Sequence, residues 1–473
     1  MLAAMAMAAA PQQDTTAAQA QQKVITLDQA LEIALSENAS VKVADMEIKK
    51  SGYSRAGSYA SLFPQIDGSG SYQRTIKKQV MYMDFDMSAM GGLGGLGGGS
   101  ETELPEGMPE IETPAPSKSS SGGGIEVGRW NTWSAGISAS MPLVNAQLWQ
   151  SLRISDKDVE IAVEKARGSR LETVTQVKQA FFGVLLAKEA FKLYKSVYEN
   201  SVQNLEQTQK RYNAQKASEL DLARSKTAVA NAIPNVYDAE NSVVLGLWQL
   251  KAVMGLDLDQ DIDVAGSLDD YAEHMFRDLH ENDDYTLEGN SSLRQLALQA
   301  EELAMAIRVQ KAACLPSLAV AFNYSINAMT NDYKFSEYNW SPYSFVGLSL
   351  SIPIFAGGRR ASSIRQAQVQ AAQFNIQKEN TERQLKIAIR QYLNTMETSI
   401  KSYGSAESAL QTAQKAYDIA QKSYNVGRST LTDLNDAQLA LTQASLSVTQ
   451  AVYNFVVAKA NLEGVLGADF TQE

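Results

Sequence analysis

Carboxylates are the side chains best placed for chemistry, and many of them lie in one acidic stretch, residues 256–289. Its aspartates form an alternating series that could offer oxygen ligands to Ca²⁺: Asp257, Asp259, Asp261 and Asp263. A helix–loop–helix calcium site, however, needs glycine at its sixth position and glutamate at its twelfth. Counted from Asp257, these positions hold Ile262 and Leu268. We therefore interpret the stretch as a solvated, irregular connector.

Catalytic and cofactor-binding motifs are missing from the sequence. The two histidines, His274 and His280, and the single cysteine, Cys314, have neither metal-ligand spacing nor a nucleophile–base arrangement. The glycine-rich residues 91–100 are not followed by the Lys-Ser/Thr of a phosphate-binding loop, and we expect them to lie in a mobile loop. No enzymatic activity, metal or cofactor is predicted.

Charge and hydropathy narrow the class of protein further. The sequence has 42 basic and 53 acidic residues, a net charge of −11, and offers no cationic footprint for nucleic acid. No apolar run approaches the roughly 20 residues of a membrane-spanning helix, so any membrane crossing must be made by strands. Residues 1–22 begin with an alanine-rich apolar run, which we interpret as a signal-peptide remnant or a disordered N-terminus.

The chain is an internal duplication. Matching residues of its two halves are 211 or 212 positions apart, in the pairs Pro142/Pro353, Phe181/Tyr392, Tyr212/Tyr424, Asp221/Asp433 and Gly255/Gly467. Repeat 1 is predicted over residues 23–255 and repeat 2 over 290–467, followed by a tail at 468–473. Pro64 and Pro316 are 252 positions apart, so repeat 1 carries an insertion between its two strands.

Each repeat contains two segments in which apolar and small polar residues alternate, the pattern of a two-faced strand. In the clearest segment, Leu318, Val320 and Phe322 share one face. Strands are predicted at 62–73 and 131–143, joined by an extracellular loop at 74–130, and at 316–328 and 344–355, joined by an extracellular loop at 329–343. Such strands fit a membrane barrel that is lined by water, the alternative being a half-buried soluble sheet. Four strands cannot close a barrel, so several chains must share one.

Long helices accompany the strands. Residues 146–213 and 359–426 contain no proline, and each run of about 68 residues would be roughly 100 Å long as a helix. We call these two long helices the rods. The remaining predicted helices are a return helix after each rod, at 218–254 and 430–466, a helix at 290–314 and a helix near the start of repeat 1. Alanines recur at three- and four-residue steps, which lets neighbouring axes approach closely. Each rod and its return helix therefore form an antiparallel hairpin.

Glycines mark the places where the chain must turn. Gly427 suits a left-handed helix end in the second hairpin, whereas the first hairpin has Gln215 there, so the two turns are predicted to differ in backbone shape. Gly357 and Gly358 lie where the chain leaves a strand and enters a helix, which favours positive φ. Asn145 is assigned this part in repeat 1.

Three segments, in this order, resemble the TolC-like outer-membrane efflux protein family. They are Ala-Phe-Phe-Gly-Val-Leu at 180–185, Pro-Ile-Phe-Ala-Gly-Gly-Arg at 353–359, and Tyr-Asn-Val-Gly at 424–427 followed by Leu-Thr-Asp-Leu-Asn-Asp-Ala at 431–437. The resemblance covers nearly the whole chain. It implies a mostly α protein with membrane β-strands, in which three two-repeat chains share a twelve-stranded barrel, four strands each, that a long α-helical barrel continues into the periplasm.

The resemblance also implies partners and a function. The protein would be a homotrimer in the outer membrane, in contact with its lipid, and would dock onto a periplasmic adaptor protein and an inner-membrane pump of the RND or ABC class. It would act as the passive exit duct of a tripartite efflux or type I secretion system, gated at the periplasmic helix tips.

The same resemblance assigns the gate. The family's aspartate pair falls on Asp433 and Asp436, a first-repeat aspartate on Asp221, and a tyrosine that helps to hold the closed state on Tyr424, whereas a gating arginine falls on Ser429. Aspartates at i and i+3 share one helix face, so a trimer would bring six carboxylates around a narrow axis and favour cations. The alternative is one helix cap and one solvated charge.

Two other classes of protein remain as alternatives. A trimeric surface adhesin can also pool four strands per chain, but its strands would form one contiguous terminal block. A coiled-coil scaffold would need only the helices, and the alternating segments would then be ordinary sheet.

Overall fold

The computed structural model describes residues 23–81, 125–273, 275 and 285–467. The interpretations of residues 1–22, the glycine-rich segment, the two histidines and the tail at 468–473 lie outside these ranges. The chain is mostly helical and divides into two compact units that do not coincide with the repeats. The first comprises the described residues of Met1–Ser58, Gln147–Cys314 and Phe355–Glu473, and the second those of Tyr59–Ala146 and Leu315–Ile354.

The second unit is built on an antiparallel sheet of four strands. In sheet order they are β2 (Gln65–Arg74), β5 (Asn131–Val144), β7 (Ser317–Thr330) and β8 (Ser341–Ser351). The two central strands approach closely at Gly136, where an added Cβ would lie 2.8 Å from the carbonyl oxygen of Tyr324. A short ribbon, β3 (Gln79–Met81) with β4 (Ile125–Val127), extends from β2 and β5.

The strand limits differ from those predicted because hydrogen-bonding partners decide where a strand ends. The strand predicted at 62–73 begins only after Pro64, which has no amide hydrogen to donate. The strand predicted at 344–355 begins at Ser341, opposite Asn327, and ends at Ser351, opposite the first residue of β7. The loop predicted at 74–130 contains β3 and β4, and the loop predicted at 329–343 contains a single 3₁₀ turn at Phe335–Glu337.

The first unit contains the helices. They are α1 (Leu27–Glu37), α2 (Ala39–Ala60), α3 (Ala146–Asn213), α4 (Glu219–Met254), α5 (Asp269–Ala272), α6 (Ser291–Ala312), α7 (Arg359–Asn425) and α8 (Leu431–Leu466). The 68 residues of α3 and the 67 of α7 each correspond to about 100 Å of helix. Within the described ranges, none of these helices combines the length and the apolar character needed to cross a bilayer.

A buried asparagine makes the same contacts in each of the two repeats, and we call this set of contacts the clasp. The Asn38 side chain donates to the carbonyl oxygen of Val253 at 2.6 Å, and the Asn290 side chain donates to that of Val465, also at 2.6 Å. Each carboxamide oxygen accepts from the backbone of the helix that follows, α2 or α6, and so caps that helix. The clasp joins the start of one helix to the end of the return helix, and the duplication is therefore visible in detailed contacts.

The acidic stretch is more ordered than predicted. Its residues Ile262–Val264 form β6, which pairs in parallel with β1 (Lys23–Ile25). Ile262 and Val264 are buried, while Asp263 forms an ion pair with Lys188. The alternation of Ile262, Asp263 and Val264 is thus the pattern of a short strand, whereas Asp257, Asp259 and Asp261 precede it. A core of side chains from α1, α3, α4, α7 and α8 surrounds this strand.

The two hairpin turns share one backbone shape, and the prediction that they differ is wrong. Gln215 adopts a φ of 60°, close to the 78° of Gly427. The amide of Gln215 donates to Tyr212 and that of Lys216 to Arg211, and the second turn repeats both bonds 212 positions later. Gln215 is the non-glycine residue with positive φ in the described part of the chain, so Asn145 does not have the left-handed conformation assigned to it.

Candidate functional site at the hairpin turns

Asp433 lies at the start of α8, where it completes a capping box. One of its oxygens, Oδ2, accepts from the Thr430 amide at 2.9 Å, the Thr430 hydroxyl at 2.7 Å and the Ser429 hydroxyl at 3.0 Å. These hydrogen bonds hold the pKa of the Asp433 carboxyl below its ordinary value, and those from Thr430 contribute most to the shift. The side chain is therefore fixed, ionised and exposed at the turn.

Asp221 has the same role in the first hairpin. Its Oδ2 accepts from the Ser218 hydroxyl at 2.7 Å and from the Ser218 amide at 3.3 Å. The two aspartates thus occupy matching N3 positions of two capping boxes. For Asp433 and Asp221, capping is an observed structural role.

Asp436 differs from both of them. It lies one turn further along α8, it is exposed, and within the described residues its carboxylate forms no hydrogen bond or ion pair. The matching position in repeat 1, 212 residues earlier, is Arg224. The Arg224 guanidinium donates to the Thr432 hydroxyl at 3.3 Å, so it reaches from the first hairpin to the second. The two turns are alike in backbone but unlike in charge.

Tyr424 is the most buried of the predicted site residues, with 5% of its surface exposed. Its hydroxyl lies 2.6 Å from the hydroxyl of Thr208 on α3. Because the Thr208 hydroxyl donates its single hydrogen to the Asn204 carbonyl at 2.8 Å, Tyr424 must be the donor to Thr208. The ring packs with Tyr417, Leu431 and Leu434 in a small apolar cluster.

Arg211, which the sequence analysis did not single out, holds the end of α7. Its guanidinium lies 4.4 Å above the Tyr424 ring. The same group donates to the carbonyl oxygen of Tyr424 and, at 2.6 Å, to that of Asn425. Carbonyls in the last turn of a helix have no intrahelical partner, and a cation there also opposes the helix dipole. We name Arg211, Thr208 and Tyr424 the turn clamp.

The structure brings some predicted residues together and separates others. Asp433, Asp436, Tyr424 and Gly427 lie within one turn region, and Arg224 and the turn clamp connect that region to the first hairpin. Gly357 and Gly358, which have φ values of 58° and 81°, lie at the opposite end of α7 and belong to a different turn. Ser429 carries no guanidinium, but Arg211 supplies one from the neighbouring helix.

The arrangement holds the two helix turns together and presents charged groups at them. Fixed carboxylates are displayed at the turns, and a small set of polar contacts ties the second turn to the first hairpin. In the described part of the chain, no three histidine, cysteine or acidic side chains converge as metal ligands would.

Comparison with known proteins places the chain in context. A family model described as "Outer membrane efflux protein" matches residues 30–256 and 284–468, a segment in each repeat. Outer membrane protein TolC of Vibrio cholerae is 22% identical over 285 residues, which is 59% of this chain and 63% of the relative. TolC of Escherichia coli is 24% identical over 290 residues, 59% of this chain and 58% of that protein. The chain thus spans about three-fifths of these relatives.

Solved structures of low sequence identity share the fold. The CmeC outer membrane channel of Campylobacter jejuni has a TM-score of 0.69 at 18% identity, over 93% of this chain and 85% of that one. The outer membrane protein VceC of Vibrio cholerae has a TM-score of 0.67 at 16% identity, over 94% and 96% of the two chains.

Proposed function

This chain belongs to the outer membrane efflux protein family, and on that premise we propose that it is one subunit of a passive exit duct, gated at the turns of its helical hairpins. The family is one of channels, not of enzymes, and the predicted location in the outer membrane is confirmed by membership. A surface adhesin or a coiled-coil scaffold is not favoured by any observation on this chain.

The unpaired edges of the sheet carry the proposal. Within the described part of one chain, the edge strands β2 and β8 each have a partner on one side only. Side chains on the apolar face of β8 are largely exposed, with Val346 at 72%, Leu348 at 70% and Leu350 at 61%. An open edge is unstable in lipid, and an apolar face is unstable in water. Pairing β8 of one subunit with β2 of the next closes the edges, and a surrounding bilayer covers the apolar face.

Closure of this edge pairing sets the number of copies. Bacterial outer-membrane barrels have at least about eight strands, so two copies would give only the smallest barrel, which side chains fill. Three copies give twelve strands and a wider, water-filled interior. We therefore propose a homotrimer whose strands form the barrel in the outer membrane and whose long helices form a tunnel in the periplasm.

The helical part suits a tripartite assembly. Helices about 100 Å long can bring the hairpin turns close to the inner membrane. We propose that these turns dock onto a periplasmic adaptor protein and an inner-membrane pump of the RND or ABC class, as in drug efflux or type I secretion. In the closed duct, the turn clamp holds the second hairpin while Asp433 and Asp436 form the acidic ring.

Conductance across a planar lipid bilayer tests the duct and its ring separately. Purified protein is expected to form stable, cation-selective channels, and Asp433→Asn with Asp436→Asn is expected to lose most of that selectivity. The matched control is Asp238→Asn with Glu240→Gln, which removes two exposed charges from the body of α4. Absence of channels would refute the duct, and unchanged selectivity in the first variant would refute the ring.

A further inference from the structure

Four cations surround one end of the sheet in the second unit. They are Arg74, Lys77, Lys78 and Arg129, which we name the cationic rim. The Thr75 amide donates to the Trp130 carbonyl at 2.8 Å, so the two segments that carry these cations lie side by side. The nearby carboxylates Glu126 and Asp332 form no ion pair with any of the four within the described residues. Among the described residues, the rim is therefore a cluster of positive charge without carboxylate partners.

Aromatic side chains position two of these cations. The Lys78 ammonium lies 4.9 Å from the centre of the Trp130 ring, and the Arg74 guanidinium donates to the Tyr333 hydroxyl. Such contacts fix a cation on the edge of an aromatic surface without neutralising its charge. The charges therefore remain available to an anionic ligand.

The rim begins where the apolar face of the sheet ends. Tyr72 and Arg74 share a face because they are two residues apart on β2, and the Tyr72 ring lies 4.3 Å from that of Trp133. Beyond them Ile76 is 95% exposed. A ligand that covers this region must pair a negatively charged group with an adjoining apolar body.

We propose that the cationic rim binds the phosphate groups of an anionic lipid at the surface of the outer membrane. The inference rests on the proposed function, because the apolar face must stand in a bilayer for the rim to lie at headgroup depth. Arginine and lysine bind phosphate oxygens through charge-assisted hydrogen bonds, while tryptophan and tyrosine prefer the boundary between water and hydrocarbon. A nucleic acid would leave Ile76 and the aromatic surface uncovered.

Lipid retention by the detergent-purified full-length protein, measured by native mass spectrometry, tests the proposal. The probes are lipid A, which carries two phosphates and acyl chains, and the same lipid with its phosphates removed. Lipid A is expected to bind at least about tenfold more tightly than the dephosphorylated form. Excess inorganic phosphate should not displace it, because the apolar contacts also contribute. Equal binding of the two lipids, or displacement by phosphate alone, would overturn the proposal.

Variants of the rim locate the site. Substitution of all four rim cations by glutamine is expected to remove the preference for lipid A, and exchange of each arginine for lysine and each lysine for arginine should retain it. The matched control replaces four exposed cations of α3 and α7 by glutamine: Lys195, Arg365, Arg390 and Lys415. Retention of lipid A by the rim variant, or equal loss in the control, contradicts the proposal.

Bilayer conductance of the same proteins separates this inference from the proposed function. If wild-type protein forms channels, and the rim variant also conducts but no longer prefers lipid A, both the proposed function and the lipid-binding rim are supported. Channels without any lipid A preference would refute the inference alone, whereas absence of wild-type channels would refute the proposed function.

Discussion

Loss of the Arg211 guanidinium should open the duct. In Arg211→Gln the carbonyls of Tyr424 and Asn425 lose a charged donor, and the Tyr424 ring loses the cation above it. A hydrogen bond to a charged group contributes roughly 1.5 to 3 kcal/mol, and a partly exposed cation–π contact about 0.5 to 1 kcal/mol. Water replaces part of this at a half-exposed site, so we take about 2 kcal/mol for the clamp.

That free energy converts into a measurable change in gating. A shift of about 2 kcal/mol between closed and open states changes their ratio roughly thirtyfold. We expect a corresponding rise in open probability, or in mean conductance, of Arg211→Gln channels in planar bilayers. The matched control is Lys210→Gln, which removes an adjacent cation from an exposed ion pair with Glu206 at 2.6 Å. Such pairs contribute little, so wild-type gating is expected there.

Two outcomes would refute the reasoning. If Arg211→Gln and Lys210→Gln gate alike, the contacts of Arg211 do not hold the closed state. If Arg211→Gln lowers open probability, the clamp stabilises the open state, and its assignment is reversed.

Three further predictions concern the stability of the first unit. Asn38→Ala and Asn290→Ala should each cost about 1 to 3 kcal/mol in thermal unfolding, because each leaves a partly buried carbonyl and a helix start without a partner, whereas exposed Asn394→Ala should not. Gln215→Gly should stabilise the protein by up to about 1 kcal/mol, and Gly427→Gln should destabilise it by a similar amount, because both positions have positive φ. Burial, and secondarily the charge of Asp158, raises the pKa of Glu302 above its ordinary value. The contribution of Glu302 to the stability of the folded protein is therefore greatest at low pH and is lost as the pH rises through the raised pKa. Glu302→Gln should therefore raise the melting temperature more at neutral than at acidic pH, whereas Glu301→Gln, which breaks an ion pair with Lys157, should not; an equal gain at both pH values would contradict the burial argument.

The long elements could be predicted from the sequence because local signals dominate them. Ser218 and Thr430 are recognisable caps, and Gly255 and Gly467 recognisable helix ends, so the return helices were located within a residue. The strand ends were less accurate because the alternation of Ile352 and Ile354 continues past Ser351, where β7 no longer offers a partner. A strand ends where its neighbour ends, and sequence periodicity does not contain that information.

Tertiary contacts explain what the sequence analysis missed. Gln215 has low intrinsic preference for positive φ. The hydrogen bonds that close the turn, from the amides of Gln215 and Lys216 to the carbonyls of Tyr212 and Arg211, impose this backbone conformation. Asn38 and Asn290 are 252 positions apart, the same offset as Pro64 and Pro316, so an alignment at that offset would have revealed the clasp. Arg211 matches Ser423 in repeat 2, and nothing in its spacing indicates that it lies above Tyr424.

The long helices of the two hairpins, α3 and α7, are anchored unequally, which indicates which of them moves. Within the main core, α3 contributes a continuous buried block that includes Val177, Phe181 and Val184, whereas α7 contributes only Ile389 and Met396 among its fully buried residues. Each buried apolar side chain contributes about 1.5 to 3 kcal/mol. Displacement of α7 exposes fewer such side chains than displacement of α3, and it therefore costs less free energy. Once the clamp is released, α7 should therefore move more than α3.

Matched labels on the two hairpins test this expectation. Lys210 and Lys422 occupy equivalent positions, 212 residues apart, one turn before the ends of α3 and α7. Spin labels at a single cysteine in either position, in a Cys314→Ser background, report distances between subunits of the trimer. Arg211→Gln should widen the distances at Lys422 more than those at Lys210. Equal widening, or a larger change at Lys210, would mean that core anchoring does not decide which long helix moves.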